Sequence, residues 1–412
     1  MRVKEWQSRE EEVLPYLYWL LAIVPLFPLA CDYIMNGGII FEWITRIRLM
    51  GENLFGLLPS QESYIISGIN DNAFNSNLFF IGSGILYSIS HNIVVTYRIT
   101  MLTIQIAAFA GARLFFGELY GCEKRAAFMG TMLYITSPYR IFISYDKADM
   151  SMTLAWAIIP FYAWAVVNIL RQKEGKWKYL FFSAIFLAAV YYAHYLVFTV
   201  ALGVTFILAL FYKKWQLFLT MLLGVIISLP AMYPLLKYLM FGGYEAWELS
   251  CQSVMPKGYR LGSFFATYFF WENHPGLGLG MLISIGVAIW IGINGSRKES
   301  GSMKLFCAGM GCFFLLLASR SFPWEYVQRI GIPFLRFVGL WKETSVFLGG
   351  AYLFFDMLCA KAFVQLDDLE EKKTSDNYLA FAIRLIVLVI CISISIYQCN
   401  MLTYTRLPME LG

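Results

Sequence analysis

Residues 137–149 read SPYRIFISYDKAD, and this stretch decides how the chain is interpreted. An apolar run, AAFMGTMLYIT at 126–136, precedes it, and a longer one, MSMTLAWAIIPFYAWAVVNIL at 150–170, follows it. The charged residues between the two runs are Arg140, Asp146, Lys147 and Asp149. Charges at membrane depth cost a few kcal/mol unless they are paired or hydrated. The stretch is therefore either a solvated loop between two spans or the cationic lip of a site for an anionic substrate.

The composition of the 412 residues is that of a polytopic membrane protein, because 59% are hydrophobic and only 14% are charged, with a mean hydropathy of +0.61. Soluble domains carry about 25% charged residues. The net charge of +5 comes from lysines and arginines in loops, with no basic stripe, so no nucleic-acid partner is expected. The eight cysteines form no CxxC pair and the three histidines form no HExxH motif, which argues against a catalytic zinc site.

Apolar runs of membrane-spanning length predict an all-α fold with about eleven transmembrane helices in one transmembrane domain, residues 1–412. The predicted spans are 14–34, 93–116, 126–143, 151–170, 179–193, 196–212, 215–235, 276–294, 303–319, 338–358 and 378–397. The long run 179–212 is split at Ala193-His194-Tyr195, because polar residues there would otherwise lie in lipid.

Short loops rich in lysine and arginine alternate with longer loops that hold few, which predicts a cytoplasmic N-terminus in the plasma membrane. Residues 35–92, 236–275 and 319–337 are then external loops. The apolar run 77–90 spans only fourteen residues. We therefore expect it to form an interfacial or re-entrant helix on the external side, although a full crossing stays open.

Carboxylates near the outer ends of spans are candidate catalytic groups. Asp32 follows the first span and Glu42 lies in the amphipathic stretch IIFEWITRI. Either could deprotonate an acceptor hydroxyl or bind a divalent cation such as Mg²⁺ or Mn²⁺, and either could be an ordinary interfacial charge. The sequence does not choose between the two residues.

Other polar residues are expected at the same face. His194, in YYAHYLV, is either a packed histidine or part of a site. Lys342 and Glu343 enter the tenth span, and each needs its own partner or a hydrated cavity. Arg140 and Lys147 are the expected phosphate ligands, since arginine suits bidentate contact and lysine point-charge contact. Tyr145, Asp149, His194, Lys342 and Glu343 are the expected substrate-binding residues.

Three motifs resemble the GT-C-fold integral membrane glycosyltransferases, and are closest to the bacterial membrane proteins labelled 6-pyruvoyl-tetrahydropterin synthase-related. The first motif, SPYRIFISYDKADMSMTLAWAIIPFYAWAV, carries the family's Ser-Pro-Tyr, a later tyrosine and a basic residue. VYYAHYLVF resembles a family span that ends in histidine, and IPFLRF resembles its Pro-Trp-Arg-Phe element. Against the family pattern, Lys147, Ala148 and Met152 replace Arg, Gly and Glu, while Gly38 and Glu42 take the places of Asp and His in the first loop.

The resemblance implies transfer of a sugar from a polyprenyl-phosphate donor to a glycan, lipid or protein acceptor of the bacterial cell envelope, such as a polysaccharide. In that scheme Asp32 or Glu42 activates the acceptor, and Arg140, Lys147 and Arg336 neutralise the leaving lipid phosphate. Three other functions stay open. The first is a transporter or flippase of a lipid-linked or anionic substrate, and the second is a non-catalytic envelope protein on the same fold. The third is a polysaccharide polymerase or ligase, which would use the same lipid-linked substrate.

Overall fold

The computed structural model describes residues 2–30, 34, 38, 40–52, 77–121, 123–171, 176–240, 258–265, 276–294, 301–324, 326, 344–372 and 379–405. Helices dominate these ranges, and their β-structure is limited to one isolated bridge between Tyr259 and Ser319. The helices of twelve or more residues are α1 (Arg2–Ile23), α2 (Ile40–Glu52), α3 (Asn77–Ser90), α4 (Ile93–Tyr120), α5 (Lys124–Ile135), α6 (Met150–Leu170), α7 (Lys176–Ala193), α8 (Tyr195–Tyr212), α9 (Trp215–Met240), α10 (Leu279–Asn294), α11 (Gly301–Ala318), α12 (Ser345–Lys372) and α13 (Leu379–Thr405).

Seven helical segments of the described chain are long and apolar enough to cross a membrane, which confirms an all-α polytopic membrane architecture. They are Val13–Ala30, Ile93–Tyr120, Met150–Leu170, Tyr195–Tyr212, Trp215–Tyr233, Ser345–Phe363 and Ala382–Leu402. Four shorter apolar helices, Leu78–Ser90, Trp177–Ala193, Leu279–Gly292 and Met303–Ala318, accompany them. The count of eleven crossings stays a prediction.

The predicted span 126–143 is interrupted in the structure. α5 ends at Ile135, a short helix occupies Pro138–Ile141, and a π-helical turn follows over Phe142–Asp146. Ser137 is extended, with ψ 127°, because a residue before proline is pushed out of the helical region. Pro138 then starts a new helix at a position where its missing N–H is harmless. The break explains why one helix does not continue through 126–143.

The end of α7 and the start of α8 confirm the predicted split of the run 179–212. α7 ends at Ala193, His194 is extended with ψ 115°, and α8 begins at Tyr195. α6 packs antiparallel against α7, so Asp149 and His194 lie at one end of the bundle and Arg171 at the other. We name these the Asp149 end and the Arg171 end.

α12 is the central helix, because 83% of its apolar window is buried, the largest share among the seven candidate spans. It packs against α5, α10 and α11. At Gly349, α12 lies directly against Trp156 of α6, since a Cβ atom on this glycine would be 2.3 Å from the Trp156 ring. A side chain on α12 that faces its neighbours is therefore deep in protein.

The first loop carries a helix pair, α2 and α3. The ring of Trp43 stacks on Phe80 at 4.8 Å, and Gly51 and Gly84 each adjoin a side chain of the partner helix. α3 has fourteen residues, or roughly 21 Å of helix, against about 30 Å of hydrocarbon in a bilayer. Its interfacial or re-entrant placement is compatible with this length and stays a prediction.

Candidate functional site

The chain between α5 and α6 gathers polar side chains at the Asp149 end. The π-helical turn that follows Arg140 is wider than an α-helix, and such turns are frequent at functional sites. The turn carries Ser144, and the chain leaves it through Lys147 and Asp149. We call the set Gln105, Arg140, Ser144, Lys147, Asp149 and His194 the polar centre.

Arg140 is 3% exposed and keeps its charge inside the protein. Its Nη2 donates to Oε1 of Gln105 at 2.8 Å, and its Cζ lies 5.1 Å from the centroid of the Tyr134 ring. Gln105 is itself oriented by a 3.3 Å hydrogen bond from its Nε2 to Oγ of Ser144. Within the described ranges, Nε and Nη1 of Arg140 make no hydrogen bond. The guanidinium therefore has two donor nitrogens left for an anion.

Lys147 meets a different environment seven residues later. Its Nζ lies 3.3 Å from Oδ2 of Asp149, which is 4% exposed. Asp149 also caps α6, because its Oδ1 accepts the Met152 N–H at 2.9 Å. Burial opposes ionisation of Asp149, but Lys147, His194 and the Met152 N–H together hold its pKa below the ordinary value. These contacts bring together three predicted residues, Lys147, Asp149 and His194.

Two backbone features hold this corner in place. Gly38 lies against the Lys147 carbonyl so closely that a Cβ atom on it would be 1.9 Å from that oxygen. Ala148 adopts φ +54°, the left-handed region that favours glycine.

Tyr145 and Glu42 have contacts of their own. Tyr145 is buried and its hydroxyl donates to the Pro25 carbonyl at 2.5 Å, which ties the π-helical turn to the end of the first span. Glu42, half-buried on α2, accepts from Arg46 at 3.3 Å. Glu42 lies four residues beyond Gly38 in the sequence. The remaining predicted residues, Asp32, Arg336, Lys342 and Glu343, lie outside the described residues.

Sequence reasoning missed two buried polar residues. Gln105 lies in the apolar run MLTIQIAAFA and positions Arg140. Asp356 lies in GAYLFFDMLCAK, is 0% exposed, and neither of its carboxylate oxygens has a hydrogen-bond partner among the described residues. Each interrupts an apolar run, and that interruption is by itself a sequence signal of an intramembrane polar residue.

The polar centre can bind an anion through Arg140, whereas the charge of Lys147 is compensated by Asp149. A metal site would need a different set of residues, because the part of the chain that the structure describes holds no group of three His, Cys, Asp or Glu side chains placed to share a cation. No protein-family model matches the chain, and no curated protein is similar to it. Its function is therefore argued from the side chains of the polar centre.

Proposed function

We propose that the chain is a GT-C-type membrane glycosyltransferase that moves a sugar from a polyprenyl-phosphate donor to a cell-envelope acceptor at the Asp149 end. The observation that carries the proposal is Arg140, a buried guanidinium with two hydrogen-bonding nitrogens unused among the described residues. A cation in a site of low dielectric attracts a phosphate far more strongly than one in water.

The immediate partners of Arg140 favour anion binding over a purely structural role. Gln105 is neutral and Tyr134 offers a ring face, so neither cancels the positive charge. Ser144 fixes the amide of Gln105, which in turn fixes the guanidinium before any ligand arrives. Preorganised donors of this kind lower the barrier where negative charge develops.

In the proposed reaction a carboxylate takes the proton of an acceptor hydroxyl, and the hydroxyl oxygen forms a bond to the anomeric carbon of the donor sugar. The bond between that carbon and the phosphate oxygen breaks, and its electron pair leaves with the polyprenyl phosphate beside Arg140. Asp32 and Glu42 remain the two candidate bases. They lie on either side of Gly38 in the sequence, and Gly38 itself contacts the Lys147 carbonyl.

Donor binding to the purified protein in lipid nanodiscs tests the proposal, with a panel of radiolabelled polyprenyl-phosphate sugars. Arg140→Gln should weaken binding at least about tenfold, because hydrogen bonds to a charged group are worth about 1.5–3 kcal/mol. Arg113→Gln is the matched control, since Arg113 also lies over a tyrosine ring, 5.1 Å from the Tyr18 centroid. Its donor affinity should not change.

A turnover assay then separates the two bases, with alanine at Asp32 and Glu42 singly and together. Product formation should fall with one single variant and vanish with the double variant. Normal turnover in the double variant would make the base assignment wrong. Equal donor affinity in Arg140→Gln and the unmodified protein would remove the basis of the proposal.

Asp356 favours a second candidate, a transporter or flippase of a lipid-linked or anionic substrate. A carboxylate deep in a span with no hydrogen-bond partner among the described residues is typical of ion and proton pathways. Uptake of labelled substrate into sealed vesicles, abolished by Asp356→Asn and without product formation, would support this candidate over the transferase.

A further inference from the structure

A second region of the bundle holds an apolar cavity of about 330 Å³. Its walls come from α4, α6, α8, α11 and α12. Along α6 and its C-cap the lining residues run from Trp156 to Arg171, fifteen helical steps or roughly 22 Å. The cavity is thus long and narrow, and it extends to the Arg171 end.

Two polar groups in the walls, the hydroxyls of Tyr162 and Thr205, lie 2.5 Å apart, and Thr205 also donates to the Ala201 carbonyl at 2.7 Å. The indole Nε1 of Trp156, a third wall residue, is buried without a hydrogen-bond partner among the described residues. A water molecule in a cavity needs two to four polar partners, which one N–H and a bonded hydroxyl pair supply poorly. An empty cavity is destabilising in proportion to its volume. A hydrocarbon chain fills the apolar part of this space and leaves the Tyr162–Thr205 pair intact.

The rim of the cavity is positively charged. Arg171 and Tyr212 line it, and their exposed fractions of 42% and 39% show that it reaches the surface at this end. Arg171 pairs with Glu118 at 3.1 Å, which compensates one positive charge. Lys213, which directly follows Tyr212 and is exposed, adds an ammonium group next to the rim, so Arg171, Glu118 and Lys213 together leave one positive charge.

From this combination we propose that the cavity holds one acyl chain of an anionic phospholipid, whose phosphate lies at the rim beside Arg171 and Lys213. The length of the cavity matches a long acyl chain, and the charge of the rim selects an anionic headgroup. A neutral lipid would gain the chain contacts without the headgroup contact. The proposal does not depend on the glycosyltransferase assignment.

Native mass spectrometry of the purified, delipidated protein tests it, by titration with phosphatidylglycerol and phosphatidylcholine of identical acyl chains. The first phosphatidylglycerol should bind more tightly than the first phosphatidylcholine. Val204→Phe fills the cavity and should weaken that binding about tenfold, the equivalent of about two methylene groups losing burial. Val389→Phe is the control, since Val389 is exposed on α13 and does not line the cavity.

The headgroup is tested separately at the surface. Lys213→Gln should weaken phosphatidylglycerol about fivefold and leave phosphatidylcholine unchanged, because one lysine near a membrane surface is worth about 1 kcal/mol. The control is Lys178→Gln, an exposed lysine in the first turn of α7. If the unmodified protein bound phosphatidylglycerol and phosphatidylcholine with equal affinity, the proposal that the rim selects an anionic headgroup would be wrong.

Variants that fill the cavity test whether an acyl chain occupies it. Val200→Phe, a second filling variant on α8, repeats the test if Val204→Phe does not fold. Unchanged phosphatidylglycerol affinity in a folded filling variant would overturn the proposal. So would the lack of any saturable first lipid on the unmodified protein, a result that needs no variant.

Discussion

Arg140 and Lys147 lie seven residues apart in one polar centre and have opposite electrostatic surroundings. The Lys147 ammonium faces the Asp149 carboxylate at 3.3 Å, so two opposite charges compensate each other. The Arg140 guanidinium faces an amide and an aromatic ring, which stabilise a cation without neutralising it. The comparison separates two residues that the sequence assigned to one role. We therefore expect Lys147 to stabilise the fold, and we propose Arg140 as the cation that binds a ligand.

The largest expected effect comes from the backbone beneath Lys147. In Gly38→Ala the new Cβ atom would lie 1.9 Å from the Lys147 carbonyl oxygen, at φ +34°, so both the contact and the backbone conformation are strained. We expect a loss of about 3 kcal/mol in the free energy of unfolding, combining a displaced contact with left-handed strain. Thermal unfolding in detergent, followed by tryptophan fluorescence, measures it.

Gly82→Ala is the matched control, because nothing lies within 4 Å of a Cβ atom on Gly82 in α3. Alanine there should raise stability by about 0.5–1 kcal/mol, the difference in helix propensity. A Gly38→Ala protein as stable as the unmodified one would show that Gly38 does not press on Lys147.

A pair of identical substitutions tests the comparison directly. Lys147→Met leaves Asp149 buried without its ammonium partner and should cost about 2–3 kcal/mol, toward the low end for a broken buried pair. Arg140→Met removes a cation that has no carboxylate partner among the described residues, so its stability should change by less than about 1 kcal/mol. Thermal unfolding of both variants in one detergent gives the difference.

The double variant Lys147→Met with Asp149→Asn is the control for the pair. Removing both charges should recover part of the loss, since no uncompensated charge remains. An Arg140→Met protein less stable than Lys147→Met would reverse the roles assigned to the two cations.

Hydropathy predicted the helices because each span must satisfy its own backbone in lipid, which makes the apolar run a local signal. The junction at His194 was predictable for the same reason. The contacts that distinguish Arg140 from Lys147 were not, since Gln105 is 35 residues from Arg140 and Gly38 is 109 residues from Lys147. Such pairings are set by how helices pack. In the sequence, Asp356 stands out as a carboxylate within an apolar run. Only the structure shows that its oxygens have no hydrogen-bond partner among the described residues.

A smaller effect is expected on acidification. The pKa of Asp149 lies below the ordinary value of 3.8, so its ion pair contributes stability at pH values above the unfolded-state pKa. That contribution is lost as the pH falls through the folded-state pKa, because the folded protein must then take up the proton. Asp149→Asn should therefore flatten the acid limb of a plot of melting temperature against pH.

Asp146→Asn, three residues earlier and half-buried, is the matched control for the acid limb. Flattening beyond that seen in Asp146→Asn, measured between roughly pH 5 and pH 3 where carboxylates titrate, is then assigned to the Lys147–Asp149 pair. Identical slopes in Asp149→Asn and the unmodified protein would mean that the Lys147 pair does not stabilise the fold.

The smallest expected effect is at Ala148, whose φ of +54° lies in the region that favours glycine. The test there replaces alanine by glycine, the opposite of the change at Gly38. Ala148→Gly relieves about 1–2 kcal/mol of left-handed strain. It also adds about 0.5–1 kcal/mol of unfolded-state entropy and loses a buried methyl group worth about 0.8 kcal/mol. These effects nearly cancel, so the melting temperature should hardly move. Ala148→Val keeps the left-handed strain and adds a bulkier, β-branched side chain. Because of this crowding it should clearly lower the melting temperature. A large stabilisation by glycine would mean that strain, rather than the Lys147–Asp149 pair, dominates this corner.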